Sequence, residues 1–145
     1  MRCNVAMPGQ FGFELDLSKC SEKELELAKS SIDKYRDLQN TFHYGECYRL
    51  TSPLNDDIAV TEFISSDSNT VVVSINTIKP ASNTVPKFIK LDALETDAVY
   101  KNTDTEKTYT GEYLMNIGVQ FKNDREHGTC MLVLSKEPKD RENAV

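Results

Sequence analysis

The clearest helical spacing in the chain runs through Leu25, Ala28, Ile32 and Tyr35. Steps of three and four residues put these side chains on one stripe, while Glu26, Lys29, Asp33, Lys34 and Asp37 take the other faces. The pattern predicts a helix over about Ser21 to Thr41. Ser21 followed by Glu24 has the spacing of a capping box, in which each side chain satisfies an orphan amide of the first turn. Glu22 and Glu24 suit the positive end of the helix dipole, and Gly45 is the expected stop. From about Glu46 the pattern changes to short segments rich in Thr, Val, Ile, Tyr and Phe. Strands are expected at Cys47–Thr51, Ile58–Ser65, Thr70–Lys79, Lys87–Leu91, Ala98–Lys101, Lys107–Thr110 and Gly128–Ser135. Turn-forming stretches separate them: residues 53–57, 66–69, 80–83 and 102–104. Val60, Glu62 and Ile64 alternate only loosely with Thr61, Phe63 and Ser65. Short strands at this spacing, without helical patterns between them, predict an antiparallel β-sandwich or Greek-key sheet. The fold class is thus mainly β with one long N-terminal helix.

Ahead of the helix, Arg2 to Met7 reads as a short strand and Phe11-Gly-Phe13 as a second apolar cluster, with Pro8, Gly9 and Gly12 as punctuation. A strand, a glycine-bearing loop and a helix make a βα unit, which needs neighbouring strands to pair with. Residues 137–145 are charged and aperiodic, and are expected to be a flexible tail.

Composition narrows the function. The 145 residues carry 17 Lys and Arg against 23 Asp and Glu, a net charge of −6. That balance argues against binding a nucleic-acid backbone. No apolar run approaches the ~20 residues that cross a bilayer, so no membrane partner is expected. The N-terminal residues MRCNVAMPGQ show no signal-peptide core, and the expectation is a cytoplasmic protein. Cys3, Cys20, Cys47 and Cys130 form no C-x-x-C pair, so four free thiols are expected and neither a metal nor a cofactor. The chain is too short for a complete (β/α)₈ barrel of roughly 250 residues.

No phosphate loop, dinucleotide fingerprint, metalloprotease helix, nucleophile elbow or EF-hand loop occurs. Tyr100, Tyr109 and Tyr113 are candidate aromatic platforms for a sugar ring, weighed against core or edge packing. His43 lies between Phe42 and Tyr44 without a nucleophile at a suggestive spacing. His127 falls in Asn123-Asp-Arg-Glu-His-Gly128, which reads as a hairpin turn. Glu14 and Asp16 sit two residues apart, so on an extended segment they point the same way. Paired carboxylates serve glycosidases as acid and base, but before a helix the default role is capping or ion pairing. Asn116 stands among apolar residues, with backbone hydrogen bonding as its default role.

One stretch carries more. Val5-Ala-Met-Pro-Gly-Gln-Phe-Gly-Phe-Glu-Leu-Asp-Leu17 resembles the closing segment of the catalytic barrel in family-36 glycoside hydrolases, the microbial α-galactosidases, where A-M-x-G-x-F-G-[YF]-E-L-D-L leads into the last barrel helix. Further matches follow in the family's order: Phe42-His-Tyr-Gly45, Tyr48-Arg-Leu50, Ser52-Pro53, and Gly111 with Leu114-Met-Asn116 and Gly118, which resembles G-x-x-L-M-N-x-G. Pro8 and Val119 depart from the pattern. The resemblance implies that residues 1–45 are the last strand and helix of a (β/α)₈ barrel, and that residues 46–136 are a C-terminal antiparallel β domain.

It also implies a parent enzyme that hydrolyses terminal α-linked galactose by a retaining mechanism, with one Asp as nucleophile and another as acid/base. Those aspartates belong to barrel segments, K-W-D-x-N among them, that this sequence does not contain. No residue is therefore carried over as catalytic, substrate-binding or metal-ligating. Glu14 and Asp16 match the E-L-D-L run and are read as structural. The expected role is that of a non-catalytic C-terminal portion whose β domain packs on and stabilises the barrel. α-Galactoside oligosaccharides would be partners through the barrel, and a homo-oligomer is a further expectation. The alternatives are a stand-alone carbohydrate-binding module and a protein interaction or oligomerisation domain.

Overall fold

The computed structural model describes residues 2–80, 86–122 and 128–138. His127 and most of the turn expected around it, most of the 80–83 turn, and residues 139–145 lie outside the described residues. Three helices occur among the described residues: α1 (Arg2–Ala6), α2 (Glu22–Tyr44) and α3 (Gly111–Asn116). The strands are β1 (Glu46–Arg49), β2 (Ile58–Ile64), β3 (Thr70–Thr77), β4 (Lys87–Ile89), β5 (Val99–Asn102), β6 (Thr108–Thr110), β7 (Val119–Phe121) and β8 (Thr129–Lys136). Six strands form one sheet in the order β1-β2-β3-β8-β5-β6, and β4 pairs with β7 in a second, two-stranded sheet. Every pairing is antiparallel. The molecule is thus mostly antiparallel sheet with a helix.

Both faces of the large sheet are covered. On one face Val60, Ile64, Val71, Val73, Ile75, Leu132 and Leu134 pack with Ile89, Leu91, Leu94, Leu114 and Val119, which come from the small sheet, α3 and the segments beside them. On the other face Phe63, Val72, Met131 and Val133 pack with Met7, Leu38 and Phe42. Val71, Val72 and Val73 are consecutive and all fully buried. Two covers explain the loose alternation in β2 and the continuous apolar run in β3, since a strand buried on both faces has no polar side to show. The tight link between β2 and β3 holds at Asp67, whose carboxylate accepts from Ser65 Oγ and from the Asn69 amide at 3.1 Å. These bonds hold its pKa down at about 2.

Helix α2 begins as expected. Ser21 is the N-cap, and its hydroxyl and the Glu24 carboxylate form both halves of the capping box. The helix runs on to Tyr44, three residues past the expected end, and Gly45 N–H closes it on the Thr41 carbonyl at 3.2 Å. The buried stripe differs from the expected one. Ser31, Leu38, Thr41 and Phe42 are the buried residues, while Leu25 is exposed and Ala28, Ile32 and Tyr35 are half-buried. Only the C-terminal half of α2 lies on the sheet, with Phe42 edge-on to Phe63 at 5.1 Å between ring centres. The stripe read from spacing alone continues onto the overhanging half.

Three elements correct the sequence reading. Arg2–Ala6 is helical, so the expected strand of a βα unit is absent there. A strand needs partners for its backbone groups, whereas a helical turn satisfies them internally, as in the 2.9 Å bond from Met7 N–H to the Cys3 carbonyl. Helix α3 and strand β7 fall in residues 111–121, where the sequence pattern predicts no element. Thr110 caps α3 by accepting from Tyr113 N–H at 3.1 Å. Six- and three-residue elements are too short to show a period.

Candidate functional site

The motif Gly111, Leu114-Met-Asn116, Gly118 folds as α3 wedged against residues 89–98. Gly111 N–H donates to the Ala98 carbonyl at 2.9 Å, and Leu91 N–H donates to the Leu114 carbonyl at 3.0 Å. A Cβ on Gly111 would stand 2.0 Å from the Glu95 carbonyl oxygen, and one on Gly118 would stand 2.2 Å from that of Ile89. Leu114 is fully buried, and Asn116 is exposed at the end of the helix. The motif is therefore a packing device that fixes α3 against the β4 loop.

That placement builds a groove of about 510 Å³ between β6, α3 and the small sheet. Tyr109 on β6 and Tyr113 on α3 stack with centroids 5.8 Å apart at 25°. Phe88 and Gln120, directly opposite one another on β4 and β7, line the groove together with Phe121 and Lys107. Of the three tyrosines singled out from sequence, two thus meet at one place. The third, Tyr100, is buried and its hydroxyl accepts from Glu95 N–H at 3.2 Å, so it is a core residue.

The other candidates do not converge. Asp16 caps a single 3-10 turn at Leu17–Lys19, accepting from Ser18 N–H and pairing with Lys19 at 3.0 Å. The hydrogen bonds from Ser18 and then Lys19 lower its pKa. Glu14 is exposed and lines a different groove, together with Phe11 and Leu15. His43 is exposed at the end of α2, with its Nε2 2.9 Å from the Tyr35 hydroxyl. The four cysteines are unpaired. Among the described residues, no group of three or more His, Cys, Asp or Glu side chains is placed to hold a metal. No helix among them is long and apolar enough to cross a membrane.

The sequence reading passed over Glu62. It lies in phase with Val60 and Ile64 on β2, so it points into the core, where it is completely buried. One carboxyl oxygen accepts from Asp92 N–H at 2.7 Å, and the other has no hydrogen-bond partner. Burial, with a further push from the nearby Asp92 charge, raises its pKa from 4.5 to about 7. Its signal was visible as a carboxylate at an inward position of an apolar strand. It is sealed from solvent, so it cannot meet a substrate; it ties the Asp92 loop, where Ala93 is left-handed at φ 52°, to the large sheet. Phe88, Phe121 and Lys107 left no comparable signal, because only the tertiary fold brings them beside the tyrosines.

These features define an antiparallel β domain with an aromatic-lined groove, in which the carboxylates singled out from the sequence, Glu14 and Asp16, do not line that groove. The chain belongs to glycosyl hydrolase family 36: residues 58–134, more than half of it, match the family model described as "Glycosyl hydrolase family 36 C-terminal domain". It is 31% identical over 118 residues to alpha-galactosidase AgaA of Geobacillus stearothermophilus, covering 81% of this chain and 16% of that protein. It is 32% identical over 138 residues to probable alpha-galactosidase G of Aspergillus terreus, covering 94% of this chain and 19% of that one. The crystal structure of the GH36 alpha-galactosidase AgaA superimposes on 94% of this chain and 19% of that one, with a TM-score of 0.86 and 28% identity. A variant of that enzyme has been crystallised in complex with raffinose. The chain thus spans less than a fifth of the length of these relatives.

Proposed function

We propose that this chain is the non-catalytic C-terminal part of an α-galactosidase, and that it packs on and stabilises the catalytic barrel. The whole enzyme would remove terminal α-linked galactose from oligosaccharides with retention, using carboxylates held elsewhere. In this reading residues 1–45 close the barrel, with helix α1 rather than a strand at their start. Residues 46–136 form the antiparallel sandwich behind it.

The observation that supports this best is an apolar face at the N-terminal side. Phe11, Phe13, Leu15, Leu27 and Ala28 line an open groove of about 490 Å³ beside α1. Leu15 is 50% exposed and Leu27 65% exposed. Exposed leucines gathered on one face mark a docking surface, and the relatives contain more than four-fifths of their length beyond the matched part. The remaining barrel is the occupant this face suits.

A Leu15→Ser, Leu27→Ser double variant tests the assignment. Sedimentation of the unmodified chain should show concentration-dependent self-association through the uncovered face, and the double variant should lose it. Because both side chains already face solvent, folding stability should change by about 0.5 kcal/mol or less per site. Unchanged association, or a stability loss of the size seen for core leucines, contradicts the docking role.

A further inference from the structure

The groove beneath Tyr109 and Tyr113 has a composition unlike the rest of this acidic chain. Its described lining contains no Asp or Glu and a single cation, Lys107. Four aromatic rings stand around it, and two are markedly open: Phe88 is 55% exposed and Tyr113 38% exposed. Gln120, Thr105 and Lys107 supply hydrogen-bonding groups at the same groove. Asn102 also lines it, but its side-chain oxygen already accepts from the Asp104 and Thr105 amides at 2.8 and 3.1 Å. The volume of about 510 Å³ falls in the range of small-molecule sites.

We propose that this groove binds a pyranose ring of a short neutral oligosaccharide, a proposal that rests on the α-galactosidase reading for its class of ligand. A pyranose presents C–H groups on its ring faces and hydroxyls around its rim. The C–H face suits the electron-rich face of a tyrosine or phenylalanine ring, and the hydroxyls suit neutral amide and hydroxyl partners. The arrangement fits an anion poorly, since one lysine stands in a chain of net charge −6. A purely apolar ligand would strand Gln120, Thr105 and Lys107 without partners. The rings are also held in place before any ligand arrives. Tyr109 lies opposite buried Tyr100 in the β5–β6 ladder, the Tyr113 backbone N–H is held by the Thr110 cap of α3, and the two rings stack on each other 5.8 Å apart. Such preorganisation lowers the ordering cost of binding.

The test is an amide-shift titration of the full 145-residue chain with raffinose, and in parallel with galactitol, which carries hydroxyls but no ring face. Raffinose should give saturable millimolar shifts at Lys107, Tyr109, Tyr113 and Gln120, and galactitol should give none. Tyr113→Ala and Phe88→Ala, both at exposed rings, should each weaken binding about five- to tenfold with the melting temperature nearly unchanged. Absence of saturable shifts at these residues overturns the proposal, as does an equal response to galactitol or full affinity in both variants. Shifts confined to the Leu15–Leu27 face would overturn it too. A negative titration leaves the docking of that face untouched, because the double leucine variant and sedimentation read it independently.

Discussion

A Gly118→Ala variant is expected to lose roughly 2–5 kcal/mol of folding stability, the combined scale of a left-handed backbone position and an overpacked contact. Gly118 sits at φ +92°, a conformation that a side chain disfavours, and an added Cβ would stand 2.2 Å from the Ile89 carbonyl oxygen and 2.7 Å from Lys90 N. Those atoms are backbone and belong to β4 and the loop after it, so relief requires moving β4 or α3. Either movement disturbs Leu114 and Val119 in the larger core. Urea unfolding followed by circular dichroism measures the loss. Gly12→Ala is the control: an added Cβ there meets nothing within 4 Å, and a change of about 0.5 kcal/mol or less is expected. A Gly118→Ala loss as small as the control's would show that α3 is not wedged against the β4 loop.

The second large effect depends on pH. Glu62 has a folded pKa of about 7 against an ordinary 4.5. Below the unfolded value both states hold the proton and the buried carboxyl imposes no penalty. As pH rises from about 4.5 to about 7 the unfolded chain ionises while the folded one resists, so stability falls across that window and levels off above it. At 1.36 kcal/mol per pKa unit the full loss is about 3 kcal/mol. Asp67, Asp16 and Glu24 act in the opposite direction, because their folded pKa values are lowered. Their contributions are lost only as pH falls below the carboxylate range, so a comparison of pH 5 with pH 8 isolates Glu62 from them. Glu62→Gln keeps an acceptor for Asp92 N–H and removes the charge. Urea midpoints at the two pH values should differ clearly in the unmodified chain and much less in the variant, which should be the more stable protein at pH 8. A variant that loses stability at pH 8 contradicts the assignment of a buried, proton-linked carboxyl.

How legible the fold was depended on how far each element carries its own signal. The capping box at Ser21 and Glu24 and the valine run of β3 are local, and both appear where expected. The strand order that brings β8 between β3 and β5 is not local, and no periodicity could show it. Arg2–Ala6 is too short to separate helix from strand by pattern, and its geometry follows from backbone bonding alone. The position of α2 on the sheet is not legible in the sequence, because spacing tells which residues share a face but not how far the helix overhangs. Tyr109 and Tyr113 were visible as candidates one by one; their stacking needed α3, an element with no period to read. Glu62 was readable from its phase with Val60 and Ile64, but a carboxylate in a strand is ordinarily assigned to the open face. The family motifs, by contrast, were legible in order and spacing, and the tight glycine contacts give two of their positions a physical reason.

The central claim is that this chain supports an α-galactosidase without performing its chemistry. The most direct measurement is release of galactose from raffinose by the purified 145-residue chain, followed over a wide range of pH beside an intact family-36 enzyme. The account predicts no release above the uncatalysed background, because the segments that carry the family's two aspartates, K-W-D-x-N among them, are not in this sequence. Galactose release that scales with the concentration of the chain would contradict it.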